Sequence, residues 1–132
     1  MLETILSGVL VFVASQYIMY FVLFPYRDYL QTVTKIDNKL KFYAQLIVNP
    51  PIFCEQIPDQ HVLASKELRE LSCELESRFR LTHLGWCEMT KKNVSLATRS
   101  LILLSNMIVK QDRNPLVADR HMNDVRNWLS IV

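Results

Sequence analysis

Residues 4–26 read TILSGVLVFVASQYIMYFVLFPY, a run without a charged side chain. At a rise of about 1.5 Å per residue, a helix of this length crosses a hydrocarbon layer about 30 Å thick. Tyr17, Tyr20 and Tyr26 cluster toward its end, where the aromatic residues of membrane helices meet the lipid headgroups. The sequence therefore predicts an N-terminal transmembrane helix over residues 1–26 and a second domain over residues 27–132.

Two alternatives to a transmembrane helix fit these residues poorly. A cleaved signal peptide would have a basic start and a small-residue cleavage site, whereas only Glu3 precedes the run. For a buried core helix the apolar run is too long and too uniform around its circumference. The nearest basic residues all follow the run: Arg27, Lys35, Lys39 and Lys41. The positive-inside rule then places residues 27–132 in the cytoplasm.

Small side chains form a stripe along one side of the predicted transmembrane helix. Thr4, Gly8, Val11 and Ser15 follow one another at steps of four and three residues, and Gln16 lies beside them. Such a stripe lets two helices approach closely in lipid, and a glutamine can hydrogen-bond across the contact. We expect self-association through this face, although small residues are also common in transmembrane helices that do not associate.

The next segment carries a heptad-like apolar seam, which predicts an amphipathic helix ending at Asn49-Pro50-Pro51. The seam residues are Tyr29, Val33, Ile36, Leu40, Tyr43 and Ile47. Pro25 precedes this helix. It is expected to break or kink the chain where it leaves the membrane, or to serve as the first helical residue.

Three further amphipathic helices are predicted, the first beginning near His61 or Ala64. Their apolar faces are Ala64, Leu68, Leu71, Leu75 and Phe79; then Val94, Ala97, Leu101, Leu104 and Ile108; and last Ala118, Met122, Val125 and Leu129. Residues 90–93 are expected in a connection, and Ile102, Leu103 and Met107 widen the middle face, so that helix is predicted to be the most buried. Asn114 and Pro115 predict an N-cap and a first-turn proline. The fold class is therefore all-α: a transmembrane helix followed by a cytoplasmic antiparallel four-helix bundle.

Composition excludes several kinds of site. The two glycines, Gly8 and Gly85, cannot build a phosphate-binding loop. Fifteen basic and 13 acidic residues nearly balance, which does not favour a nucleic-acid partner. Cys54, Cys73 and Cys87 form no C-x-x-C pair and are expected to be free thiols in a reducing compartment. No cofactor, metal or catalytic residue is predicted.

Three weaker patterns compete with plain surface roles. Arg78 and His83 resemble the R-x4-6-H signature of HEPN ribonucleases, but Phe79 stands where a polar residue usually follows. His83 and Cys87, with Cys54 and His61 upstream, are zinc-binding residue types without finger spacing. The last helix carries a basic set that could face RNA or lipid headgroups, although aspartates lie among its members. The basic residues are Arg113, Arg120, His121 and Arg126.

Glu67 has no basic residue at helical spacing after it, so charge pairing is expected to contribute little there.

Three motifs carry a family resemblance: Phe42-Tyr43-Ala44, ASKELRELS at residues 64–72, and the stretch from Asn93-Val94 to LLSN at residues 103–106. With them the chain resembles a family of small bacterial single-pass membrane proteins of uncharacterised activity, in which Leu103 is usually a glycine. Its architecture is also similar to the HEPN-like membrane accessory proteins of RNA-targeting CRISPR systems, which assemble into pores in phage defence. The resemblance implies the bacterial inner membrane.

Three functions are consistent with these patterns, as hypotheses. The first is a non-enzymatic, self-assembling membrane protein, a pore-forming or membrane-perturbing effector in bacterial antiviral defence. The second is a membrane-tethered HEPN-like ribonuclease that uses Arg78 and His83. The third is a passive membrane anchor for a soluble protein partner. The partners expected under the first are the lipid bilayer and further copies of the chain.

Overall fold

The computed structural model describes residues 2–49, 58–82, 88–110 and 114–130, and none of these residues forms a β-strand. The elements are α1 (Leu2–Ile18), a π-helical turn (Met19–Leu23), α2 (Phe24–Phe42), α3 (Ala44–Val48), α4 (Asp59–Leu81), α5 (Glu88–Val109) and α6 (Pro115–Trp128). The predicted all-helical fold class is confirmed. Asn114 caps α6 as expected, since its side chain accepts a hydrogen bond of 3.0 Å from the backbone of Leu116.

The helix does not end at Pro25. Residues Glu3–Phe42 form one continuous helical run of 40 residues, and Pro25 stands in the first turn of α2. A proline inside a helix removes one backbone donor and its ring crowds the carbonyl four residues earlier. The π-helical turn ends at Leu23, two residues before Pro25, and the N–H of Phe24 bonds to the carbonyl of Met19, five residues back. The predicted chain break at Pro25 is wrong, because the helical run continues through it, and Pro25 is the second residue of α2, where the alternative prediction made it the first residue of a helix.

α2 and α4 are antiparallel neighbours. Three ion pairs join them: Asp28–Arg78 at 3.3 Å, Lys35–Glu74 at 3.0 Å and Lys39–Glu67 at 2.7 Å. Residue numbers rise along α2 while those of their partners fall along α4, which defines the antiparallel direction. Partly exposed pairs contribute about 0–1 kcal/mol each, so they fix register more than stability. α5 packs on α4, α6 packs on α5, and α3 contacts α5 and α6.

The core is built from the predicted apolar faces. All six seam residues of α2 and α3 are buried, with Tyr43 at the short break between the two helices. The remaining buried apolar residues are Ala64, Leu68, Leu71, Leu75 and Phe79 of α4, Val94, Ala97, Leu101, Leu104 and Ile108 of α5, and Ala118, Met122 and Val125 of α6. Leu129, Trp128 and Met107 pack against this core and are partly buried. Hydrophobic burial is the main favourable term for such a domain.

Two details of α5 differ from prediction. α5 begins at Glu88, so residues 90–93 are helical and do not form a connection. Ile102 and Leu103 are 39% and 38% exposed, so the predicted apolar stripe is narrower than expected. α5 contacts α4, α6 and α3, and these two residues stay partly exposed in a groove beside α4. α4 also begins earlier than expected, at Asp59.

Candidate functional site: the membrane-length helix and its junction with the bundle

One helix among the described residues is long and apolar enough to cross a membrane. Within Glu3–Phe42, an 18-residue window reaches a mean hydropathy of 1.9, and none of that window is buried. Every described side chain from Glu3 to Leu23 is exposed. Exposed apolar surface costs about 25 cal/mol per Å² in water, and a continuous patch of this size marks a surface that something else covers.

The predicted stripe of small residues lies open along α1. Among the described residues, no atom other than those of its two chain neighbours and the nearby backbone of its own helix comes within 4 Å of a Cβ built on Gly8. The hydroxyl of Ser15 donates to the carbonyl of Phe12 at 2.7 Å, and that of Ser7 donates to Thr4 at 2.9 Å. These bonds satisfy both hydroxyls within the helix, which lowers the cost of placing them in an apolar medium. Thr4, Val11 and Gln16 are exposed along the same helix.

Aromatic side chains concentrate where α1 passes into α2. Tyr17 stacks on Phe21 at 4.7 Å, and Tyr20 meets Phe24 edge-on at 5.3 Å between ring centroids. The guanidinium of Arg27 lies 5.4 Å from the centre of the Phe24 ring. An aromatic belt followed by a cation is typical of the end of a transmembrane helix.

The end of α4 lies against this belt. A cavity of about 200 Å³ is lined by Tyr20, Phe24 and Pro25 from the long helix and by Arg78 and Leu81 from α4, together with Asp28. The Arg78 guanidinium donates to Asp28 at 3.3 Å. The arginine of the ribonuclease hypothesis is therefore already paired with a carboxylate, while His83 lies outside the described residues.

Glu67 of α4 contacts Lys39, near the end of α2, and Tyr43, the residue that follows α2. The Tyr43 hydroxyl donates to Glu67 Oε2 at 2.7 Å, and Lys39 Nζ lies 2.7 Å from the same oxygen. The hydrogen bond from Lys39, and after it the one from Tyr43, lowers the pKa of Glu67, which its partial desolvation opposes. Burial, then the bond to Glu67 and its charge, raises the pKa of Tyr43 to about 12. The expectation that Glu67 lacks useful pairing is wrong, because its partners lie on another helix.

Replacing Tyr43 by phenylalanine should destabilise the bundle by about 1–2 kcal/mol at neutral pH, since a hydrogen bond to a partly exposed carboxylate is lost. The folded pKa of Tyr43 is raised, so the neutral phenol stabilises the fold fully below the unfolded pKa, near 10. That contribution is lost as pH rises from about 10 through about 12. Denaturant unfolding of both proteins across this range should show their difference shrinking, and a constant difference would contradict the assignment.

A second charged cluster ties α6 to α2. Asp37 is buried; Lys41 Nζ lies 2.5 Å from its Oδ2, and Arg126 Nε lies 3.2 Å from its Oδ1. The sequence predicted Arg126 on a basic outer surface of α6, and instead it points inward to this carboxylate. His121 lies 3.9 Å from Asp124, Arg120 is exposed, and Arg113 lies outside the described residues. The predicted basic face is therefore smaller than the sequence suggested.

Only some of the remaining predicted site residues lie in the part of the chain that the structure describes. His61 is buried in α4, and Cys73 is a free, exposed thiol. Cys54, His83 and Cys87 lie outside the described residues. Within residues 2–49, 58–82, 88–110 and 114–130, no group of three or more His, Cys, Asp or Glu side chains could hold a metal ion.

Comparison of the chain with models of protein families, with characterised proteins and with solved structures finds no match. The resemblance to small bacterial membrane proteins stays a prediction. The function proposed for this chain therefore rests on its own geometry.

Proposed function

We propose that this is a non-enzymatic, single-pass membrane protein that self-associates through α1 and carries its helical bundle in the cytoplasm. The observation that supports this most is the continuous helix Glu3–Phe42. Its first half is apolar and exposed, while its second half supplies the core seam of the bundle. A lipid bilayer is the cover that fits a helix of this length without charges between residues 4 and 26.

Because the helix is continuous, self-association through α1 would also affect the bundles attached to it. Because Pro25 does not interrupt the run, a contact between two α1 helices also fixes the directions of the attached α2 helices. Each α2 is held in its bundle by the buried side chains of its seam and by its ion pairs to α4. Assembly in the membrane would therefore orient the cytoplasmic bundles relative to one another.

The proposal is tested by the mass of the full chain in mild detergent. Gly8→Leu should reduce the assembly to smaller species, because the bulky side chain separates helices that meet at this stripe. The substitution leaves the single chain undisturbed, since among the described residues the space around Gly8 is open.

Leu10→Phe is the matched control. At 100° per residue, Leu10 lies at least about 100° around the helix from every residue of the stripe and from Gln16, so its added bulk faces away from the association face. It should leave the mass unchanged. Wild-type protein that is monomeric at all concentrations would remove the proposal of self-association.

A second candidate is a passive anchor that holds a soluble protein at the membrane. The observation that favours it is an open groove of about 680 Å³ between α4 and α5, in which the exposed Ile102 and Leu103 lie. A strictly monomeric chain would favour this role. The ribonuclease alternative has less support, because Arg78 is paired with Asp28. The proposed setting, a pore-forming or membrane-perturbing effector in phage defence, rests on the architectural likeness alone.

A further inference from the structure

We propose that the end of the bundle formed by the C-terminus of α4 and the N-terminus of α5 is a binding surface for anionic lipid headgroups. This inference rests on the proposed membrane span and goes beyond it, since it assigns a lipid class and a binding surface outside the membrane helix. Three observations support it. The end of α4 lies at the level of the aromatic belt, apolar side chains are exposed at this end of the bundle, and the lysines beside them have no ion-pair partner among the described residues.

The level of the end of α4 relative to the proposed membrane follows from the cavity that Tyr20 and Leu81 both line. If the uncharged run that starts at Thr4 crosses about 30 Å of hydrocarbon, about 20 residues are needed, and Tyr20 to Phe24 then reach the headgroup boundary. Leu81 lines the same cavity as Tyr20 and Phe24, so the last turn of α4 lies at this level. Leu81 is also 62% exposed. At a lipid boundary an apolar side chain can be exposed to this extent without a cost in free energy.

The start of α5 lies beside the end of α4. Thr82, which follows Leu81, lines the same groove as Lys91 and Val94 of α5. Met89, in the first turn of α5, is 75% exposed. Leu81 and Met89 therefore present apolar groups at the end of the bundle nearest the proposed membrane.

Among the described residues at this end of the bundle, positive charges outnumber negative ones. The basic residues are Arg27, Arg78, Arg80, Lys91, Lys92 and Arg99, and the acidic ones are Asp28, Glu76 and Glu88. Asp28 is paired with Arg78, and Glu76 with Arg80 at 2.6 Å. Within the described chain, Lys91 and Lys92 have no ion-pair partner, and both are exposed.

Glu88, in the first turn of α5, is the acidic residue nearest to these lysines along the helix, three residues before Lys91 and four before Lys92. One carboxylate balances only one of the two lysine charges. Basic residues next to a membrane span are attracted to the phosphates of anionic lipid headgroups. The lysines beside exposed Met89 thus match a charged, amphipathic membrane surface.

The test uses the full chain reconstituted in equal parts of phosphatidylcholine and phosphatidylglycerol, then extracted gently with its tightly held lipids. The lipids retained should be enriched in phosphatidylglycerol. Lys91→Gln with Lys92→Gln should reduce the enrichment by about tenfold or more, since each surface cation contributes about fivefold. High salt should have the same effect on the unchanged protein through screening.

The control is Lys110→Gln with Arg120→Gln, two exposed cations at the end of α5 and in α6, away from this surface. It should keep the full enrichment. Equal lipid retention by wild-type protein and the Lys91/Lys92 variant, with the chain still in the membrane fraction, would overturn the lipid-binding surface alone. A chain absent from the membrane fraction would overturn the proposed membrane span as well.

Discussion

Leu104→Ala is expected to lower the free energy of unfolding of the bundle by about 2–5 kcal/mol. Leu104 of α5 is fully buried in the core, so truncation removes its transfer free energy and leaves a cavity. Its neighbour Leu103 is the matched control, because it is the same residue type in the same helix but 38% exposed. Leu103→Ala should cost less than about 1 kcal/mol.

Denaturant unfolding followed by circular dichroism separates the two variants. A domain of this size has a total stability of roughly 5–15 kcal/mol, so the larger loss is a substantial part of it. Similar losses for both variants would mean that Leu103 is packed as tightly as Leu104, which would contradict its exposure in the groove. A larger loss for Leu103 would contradict the packing of α5 between α4 and α6.

The second large effect concerns the proposed membrane helix. Val9→Lys with Val13→Lys should displace the chain from the membrane fraction, because each lysine near the middle of a span costs about 3 kcal/mol on insertion scales. The two together exceed the roughly 5 kcal/mol that the apolar residues of the uncharged run 4–26 contribute at about 0.3–0.6 kcal/mol each. The fraction of the chain that stays in the membranes after alkaline extraction measures this displacement.

Val62→Lys with Leu63→Lys provides the comparison. These two residues of α4 are at least half exposed, as are Val9 and Val13. If α1 were simply a solvated helix, both pairs of lysines would be tolerated alike, with effects within about 0.5 kcal/mol per site. Displacement by the α1 pair and not by the α4 pair is the expected result.

Periodicity was sufficient to predict the core. The buried apolar residues of the bundle all belong to faces that repeat at steps of three and four, because burial on one side of a helix imposes that repeat on the sequence. The cap at Asn114 was equally visible, since an asparagine before a proline has a local structural meaning. Prediction was less accurate where the outcome depended on neighbouring helices.

Ile102 and Leu103 illustrate that limit. Their spacing next to Leu101 and Leu104 indicates a wide apolar stripe, but burial depends on how closely a neighbouring helix packs there, and both residues stay partly exposed in the groove beside α4. Pro25 is a similar case, because the π-helical turn shortly before it, through which the helix continues, has no clear sequence signature.

The polar contacts were not predictable from spacing along one helix. Glu67 bonds to Lys39 and Tyr43, and Asp37 pairs with Arg126, across distances of many residues in the chain. Lys39 and Tyr43 are four residues apart and share a face, a signal that becomes informative only once the antiparallel register with α4 is known. The open stripe on α1 was named from the sequence, and its role in association stays a prediction.

The central claim, that one helix places the two ends of the chain on opposite sides of a membrane, is tested most directly by thiol labelling. Cys73 is an exposed thiol on α4, and Glu3→Cys provides one at the start of α1, with Cys54 and Cys87 replaced by serine in both proteins and Cys73 also replaced in the second. In intact cells a membrane-impermeant maleimide should label the cysteine at position 3 and should reach Cys73 only after the membrane is permeabilised. Labelling of both positions in intact cells, or of Cys73 alone, would contradict the account.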